Sequence, residues 1–239
     1  SAPSLNTFAS DDLINKAEHD AMIWLSGSSE VNAKLTITFT DAASNVDSTR
    51  FVRADEFGNW SLAYSLEDLP SDDTYTVAVV ATDAANNVSS AESKTDVIID
   101  SLVPNAVVIN SVATNDIVDI TENAAGFTIS GTGEAGATVN ISFSGSGHTL
   151  AATGGNAQTV SNSNTWSFTV GSEEALNFSE GEELIKVTQT DSVGNTSSVV
   201  TKLFNVNSTL IASGDQSAKD LSAVTKLILN GDLTALPST

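Results

Sequence analysis

The sequence predicts an all-β chain of two tandem antiparallel sandwiches, and three observations carry that prediction. The first is self-similarity. Asp12-Leu13-Ile14-Asn15-Lys16-Ala17-Glu18 matches Asp116-Ile117-Val118-Asp119-Ile120-Thr121-Glu122 at an offset of 104 residues, and Ile23-Trp24-Leu25-Ser26-Gly27 matches Phe127-Thr128-Ile129-Ser130-Gly131 at the same offset. Trp60 and Trp166 pair at 106 and Asp83 and Asp191 at 108, a drift that small loop insertions explain. The second is alternation. Leu35, Ile37 and Phe39 interleave with threonines, Val139, Ile141 and Phe143 with Asn140 and Ser142, and Trp60, Leu62 and Tyr64 with Ser61 and Ala63. Period two with β-branched residues is the pattern of half-buried strands. The third is punctuation: Glu56-Phe57-Gly58-Asn59 and Ala85-Asn86-Asn87 are turn clusters that leave room for about seven strands in each copy.

A chain of 239 residues accommodates two such sandwiches of roughly 100 residues each. The expected division is residues 1–100, residues 101–207 and a tail, 208–239, that is either appended or the start of a further module. Within the tail, Asp220 to Gly231 reads equally as an amphipathic helix stopped by glycine or as a strand. Tyr75 follows the Leu69-Pro70-Ser71-Asp72-Asp73 corner, where immunoglobulin-like sandwiches place a tyrosine whose hydroxyl bonds back to the corner. Glu183 occupies that place in the second copy, so the tyrosine corner is expected in the first module only. Strands A to G in immunoglobulin-like order, with Greek-key wiring, are the expected fold.

The charge is lopsided. Thirty Asp and Glu face nine Lys and Arg, a formal net charge of −21. Both copies share it: residues 1–100 hold seventeen acidic and five basic side chains, and residues 101–207 ten and two. Such a polyanion repels nucleic acid and anionic membrane and attracts divalent cations. No apolar run approaches a membrane span, so direct membrane insertion is not expected. Cysteine is absent, which removes thiol catalysis, thiolate metal sites and disulfide staples. No leader pattern is visible at Ser1, so the chain is expected to be a fragment of a longer protein or one exported without a cleaved leader.

Asp12 to Glu18, Thr82-Asp83-Ala84-Ala85-Asn86-Asn87-Val88-Ser89, Val97-Ile98-Ile99-Asp100-Ser101-Leu102-Val103-Pro104 and the glycine-rich run Gly131 to Ala137 together resemble the bacterial immunoglobulin-like repeats of giant RTX-type adhesins exported by type I secretion. The resemblance covers residues 1 to about 207. It implies extender modules stacked end to end with calcium at the joints, holding a ligand-binding domain away from the cell. It also implies an extracellular or cell-surface location and a role in adhesion or biofilm formation. The second copy departs at its end: Asn207 stands where Asp100 stands in the first, and no proline follows nearby.

Strand reversal sharpens the expectation about calcium. In an antiparallel sandwich the AB, CD and EF loops lie at the pole where the chain leaves, and the BC, DE and FG loops at the pole where it enters. Asp12, Glu18 and Asp100 of the first module, and Glu134 and Asp191 of the second, are therefore expected at the joint between modules. Glu30, Asp83, Asp116, Asp119 and Glu122 would serve the outer joints, Asn207 weakening the second of these. Calcium takes about six to eight oxygens in irregular geometry and suits such carboxylates better than magnesium does. The competing reading is that Asp and Asn shape turns by bonding their own backbone.

Other chemistry finds little footing. Trp60 and Trp166 alternate with polar neighbours at equivalent positions and read as core, whereas Trp24 alternates out of phase with Ile23 and Leu25 and reads as exposed. His19 and His148 are not equivalent and have no partner histidine. Glu173-Glu174 and Glu182-Glu183 are neighbours, which point to opposite faces of a strand rather than across a cleft. No enzymatic activity is expected. The expected function is a calcium-stiffened spacer of a large bacterial adhesin, monomeric as a fragment and partnered by calcium and neighbouring modules. The alternative is a carbohydrate- or protein-binding head acting through Trp24 or the Ser144 to Gly155 hairpin.

Overall fold

The computed structural model describes residues 1–145, 157–208, 210–211 and 227–228. The chain divides into two compact units, Ser1–Val103 with Val193–Asn195, and Pro104–Ser192 with Thr196–Thr239. Each is an immunoglobulin-like β-sandwich.

In the first unit an extended segment, residues 4–6, pairs with strand β2, and the chain then crosses to β1 (Leu13–Asn15), helix α1 (Lys16–Asp20), β2 (Ile23–Ser28), β3 (Lys34–Asp41), β4 (Val46–Arg53), β5 (Asn59–Tyr64), β6 (Asp73–Thr82) and β7 (Glu92–Asp100). One sheet has the order β1-β7-β6-β3-β4; the other pairs β2 with β5. All neighbours are antiparallel except β1 and β7, which run parallel with Leu13, Ile14 and Asn15 opposite Ile98, Ile99 and Asp100. The predicted alternation is what fills the core. Leu35, Ile37 and Phe39 from β3, Tyr75, Val77 and Val79 from β6, and Val97 and Ile99 from β7 are buried, and Phe39 packs against Tyr64 and Tyr75. The Tyr75 hydroxyl donates to the Ser71 carbonyl at 2.9 Å, the expected corner bond.

The second unit repeats this plan: β8 (Val108–Val112), β9 (Ile117–Asp119), α2 (Ile120–Ala125), β10 (Phe127–Thr132), β11 (Thr138–Gly145), β12 (Ala157–Thr159), β13 (Thr165–Val170), α3 (Ser172–Ala175), β14 (Gly181–Thr190) and β15 (Val200–Asn207). Its sheets are β12-β11-β14-β15-β9 and β13-β10-β8, with β9 parallel to β15. Phe127, Phe143, Phe178 and Phe204 form the aromatic centre of its core. Glu183, at the place of Tyr75, is fully buried. In the tail, β16 (Leu210–Ile211) and β17 (Leu227–Ile228) pair in parallel, so these two residues of the Asp220 to Gly231 stretch are strand. The rest of that stretch, like the Ser146 to Gly155 part of the hairpin, lies outside the described residues.

Each sandwich turns on one glycine. Gly27 faces Trp60 across β2 and β5, and Gly131 faces Trp166 across β10 and β13; both tryptophans are buried, as their phase predicts. A Cβ on Gly27 would drive into the Ser4 carbonyl oxygen, and one on Gly131 into the Val108 carbonyl oxygen and the Trp166 ring. The entering segment therefore crosses directly over a bare backbone, with the indole packed beside it. Gly27→Ala and Gly131→Ala should each destabilise their own unit by about 1–3 kcal/mol through overpacking. Calorimetry of the chain checks this: one of two transitions should fall in each variant, and unchanged transitions would show that the close approach carries no energy.

Candidate functional site

The topology places the chemistry of each unit at its poles. In the first, β3 ends where β6 begins and β7 leaves: Asp41 lies opposite Tyr75, and Asp73 opposite Ile99. Helix α1, the Asp41–Asn45 turn, the Asp68–Asp73 corner and Asp100 thus share the exit pole. Glu30, the Asp55–Asn59 turn and the Asp83–Asn87 turn share the entrance pole, where β2 ends and β3 begins.

Most of the predicted ligands prove to be engaged in building the backbone. The segment around Asp12 is not a plain loop but a crossover built on residues in the left-handed backbone conformation. Asp12 has φ +65°, its N–H donates to the Phe8 carbonyl at 2.9 Å, and its Oδ1 accepts from the Phe8 N–H at 3.0 Å. Its Oδ2 is bound to Lys94 Nζ at 2.5 Å. Asp116 repeats every feature: φ +64°, the Val112 N–H on Oδ1 at 2.8 Å, and Lys202 on Oδ2 at 3.0 Å. A carboxylate held by a lysine ammonium is a poor first ligand for calcium.

The residues that follow form a capped helix. The Asn15 side chain accepts from the N–H groups of Ala17 and Glu18, while Glu18 Oε2 accepts from the Asn15 N–H at 3.2 Å. Asp119 and Glu122 make the same reciprocal box on α2. This is the N-terminal signature of a helix, visible as N-x-x-E and D-x-x-E. Asp83 shapes its turn, accepting from the N–H groups of Ala85 and Asn87 and from the Asn87 amide at 2.7–2.8 Å.

Asp100 closes a turn at the end of β7. Its Oδ1 accepts from the Leu102 N–H at 3.0 Å, and the next residue, Ser101, donates its hydroxyl to Asp72 at 2.9 Å. The cross-strand partner of Asp100 is Asn15, and that of Asn207 is Asp119. Amide and carboxylate have changed places between the two units, so each exit pole keeps one of each. Ser208 likewise donates to Glu180 at 2.7 Å, as Ser101 does to Asp72. In the second unit, Glu134 lies exposed at the start of the Glu134–Ala137 turn, its N–H held at 2.9 Å by Oε1 of the buried Gln189, and Asp191 follows β14 at the same pole. Among the described residues there is no group of three or more His, Asp or Glu side chains already spaced to hold a metal ion. Trp24 is 57% exposed, and Met22, two residues earlier, is exposed as well. No helix among the described residues is long and apolar enough to cross a membrane.

Asn15, Lys94, Lys202, Ser101, Asp72 and Gln189 matter to these poles and escaped the sequence reading. Lys94 and Lys202 could have been found, because they repeat at 108 residues in a chain with only nine basic side chains.

No protein-family profile and no curated protein matches this sequence. Among solved structures it is similar to the Ca2+-stabilized adhesin that helps an Antarctic bacterium reach out and bind ice, at 23% identity and a TM-score of 0.44, over 86% of this chain and 48% of that one. A tetra-tandem repeat in the extending region of a large adhesion protein is similar at 22% identity and a TM-score of 0.38, over 87% and 49%. The fibronectin(III)-like modules of Clostridium thermocellum CbhA reach the same TM-score of 0.44 at 11% identity, over 86% and 94%. The chain spans about half the length of the two adhesin structures.

The turn carboxylates titrate below their ordinary value. The Asn45 amide, with its backbone N–H, holds Asp41 down; the Asn87 amide and N–H do the same to Asp83; and the Ser65 N–H and hydroxyl, with Arg50, hold Asp68 down. Depressed carboxyls contribute stability above their unfolded value of about 3.8, and that contribution disappears as pH falls through the lower folded value. The difference in melting temperature between the native chain and Asp41→Asn/Asp83→Asn should therefore be constant from neutrality to about pH 4 and shrink below it. A difference independent of pH would assign these turns to geometry alone.

Proposed function

We propose that this chain is a spacer from a large secreted or surface-anchored bacterial adhesin, and that calcium stiffens the joint between its two modules. The observation that carries the spacer reading is the path of the chain. In each unit the first strand starts at one pole and the last strand leaves at the other, so every module added in tandem adds length. No enzymatic function is proposed.

Calcium at the joint is supported by the residues that each unit offers separately. The first brings Asp100, with Glu18, Asp72 and Asp73 at its exit pole; the second brings Glu134 and Asp191 at its entrance pole. Asp12 belonged to the expected ligand set, but Lys94 competes for it, and we assign it to the fold. The outer carboxylates Asp119 and Glu122 retain the exchanged pattern of the first exit pole, so an ion at the following joint is part of the same proposal. A location outside the cell, where calcium is abundant, and neighbouring modules as partners belong to this reading. The binding-head alternative rests on the exposed Trp24, and glycan-array binding lost in Trp24→Ala would favour it.

The chain should melt several degrees higher in millimolar calcium than in EDTA, since occupancy at 100 times the dissociation constant stabilises by about 2.7 kcal/mol. Magnesium at equal ionic strength should produce little of this. Titration calorimetry should find affinity reduced at least about tenfold in Asp100→Ala and little changed in Asp83→Asn. Equal shifts with both metals would reduce the acidity to solubility and overturn the proposal.

A further inference from the structure

We infer that each unit carries a mechanical clamp, formed by the parallel pair of its first sheet strand and its last, and that the Asp–Lys bridge is the part that makes the pair resist load. In the first unit the clamp is β1 on β7, with Asp12 bound to Lys94; in the second it is β9 on β15, with Asp116 bound to Lys202. The Asp116 carbonyl also accepts from the Asn205 N–H at 2.9 Å, extending the second ladder by a bond.

The geometry explains why this pair would bear the force. Both strands of the pair run toward the exit pole. Tension pulls β1 back toward the entrance through the segment before it, and pulls β7 forward through the residues after Asp100. The two strands are dragged past one another along their common axis, so the ladder bonds are loaded together instead of opening one by one. That arrangement has a weakness at its first residue. Before the crossover, the Ser4 and Asn6 N–H groups bond to Ser28 and Ser26 of β2, which belongs to the opposite sheet, about 10 Å away. Force therefore reaches β1 with a component directed off its own sheet, which would peel Leu13 away and then unzip the ladder. Asp12 sits at that point. Its ion pair with Lys94, about three-quarters buried on both sides, holds the crossover down on β7 and keeps the load in shear. The same device at the same place in both units, built with two of the chain's few lysines, marks it as a requirement of the plan rather than a chance surface pair.

This goes beyond the spacer proposal and does not depend on calcium, so it is tested in EDTA. The absence of native cysteine lets single attachment cysteines define the pulling direction on the whole chain. With Ala2→Cys and Leu102→Cys the load passes through the clamp of the first unit; with Met22→Cys and Leu102→Cys it enters after β1 and bypasses it. Lys94→Met removes the charge, retains most of the stem and leaves the Asp12 turn bond intact. Under constant force through the clamp, Lys94→Met should shorten the lifetime of the first unit about fivefold, and Lys94→Arg should restore it. With the bypassing attachment, Lys94→Met should leave the lifetime unchanged. Equal shortening in both directions would make the bridge a general stabiliser, and no shortening through the clamp would remove it from the load path; either result overturns the inference. Melting each variant beforehand confirms that the unit under load is folded.

Discussion

Both sandwiches depend on one manoeuvre of the backbone, in which the leading segment leaves one sheet and joins the other. It starts beside a glycine, on β2 or β10, and ends parallel to the last strand, on β7 or β15. Left-handed residues make the crossing, Ala9, Ser10 and Asp12 in one unit and Ala113 and Asp116 in the other. Aspartate tolerates that conformation better than most residues because its short side chain can bond the local backbone, as Asp12 and Asp116 both do. Because the crossing seals the sandwich between its first and last strands, the chain must enter at one pole and leave at the other. The glycine, the tryptophan, the Asp–Lys pair and the capped helix all serve this path.

The path also settles how so acidic a chain spends its charge. Many of the described carboxylates build the backbone: they terminate turns at Asp41, Asp55 and Asp83, brace the crossover at Asp12 and Asp116, and close capping boxes at Glu18 and Glu122. Each such bond satisfies a backbone N–H that water or a β-ladder would otherwise have to serve. Another carboxylate stands at the last rung of each exit ladder, Asp100 in the first unit and Asp119 in the second. There the exchange of Asn15/Asp100 for Asp119/Asn207 keeps the charge of the cross-strand pair constant while moving it from one strand to the other.

Much of this was legible in the sequence because it is written as periodicity. Alternation located the core strands, the 104-residue offset located the second copy, and the phase of Trp60, Trp166 and Trp24 separated buried from exposed indoles. The tyrosine corner was legible because its geometry is local. The role of the acidic residues was harder to read, since a carboxylate that caps a helix and one that binds calcium look alike until their partners are known. Asp12 depends on a lysine 82 residues away, and the departure at Asn207 looked like a loss only because its cross-strand partner, Asp119, is 88 residues upstream. The helices α1 and α2 could have been anticipated from the N-x-x-E and D-x-x-E spacing, but their few residues were overshadowed by the reading of the same side chains as ligands.

The most direct test of the calcium-stiffened spacer is small-angle X-ray scattering of the whole chain in calcium, in magnesium and in EDTA at equal ionic strength. The account predicts a calcium-specific rise in the radius of gyration and a narrower distribution of interatomic distances, with magnesium resembling EDTA. Superimposable profiles in all three conditions would contradict it, because a joint that does not respond to calcium is not stiffened by it.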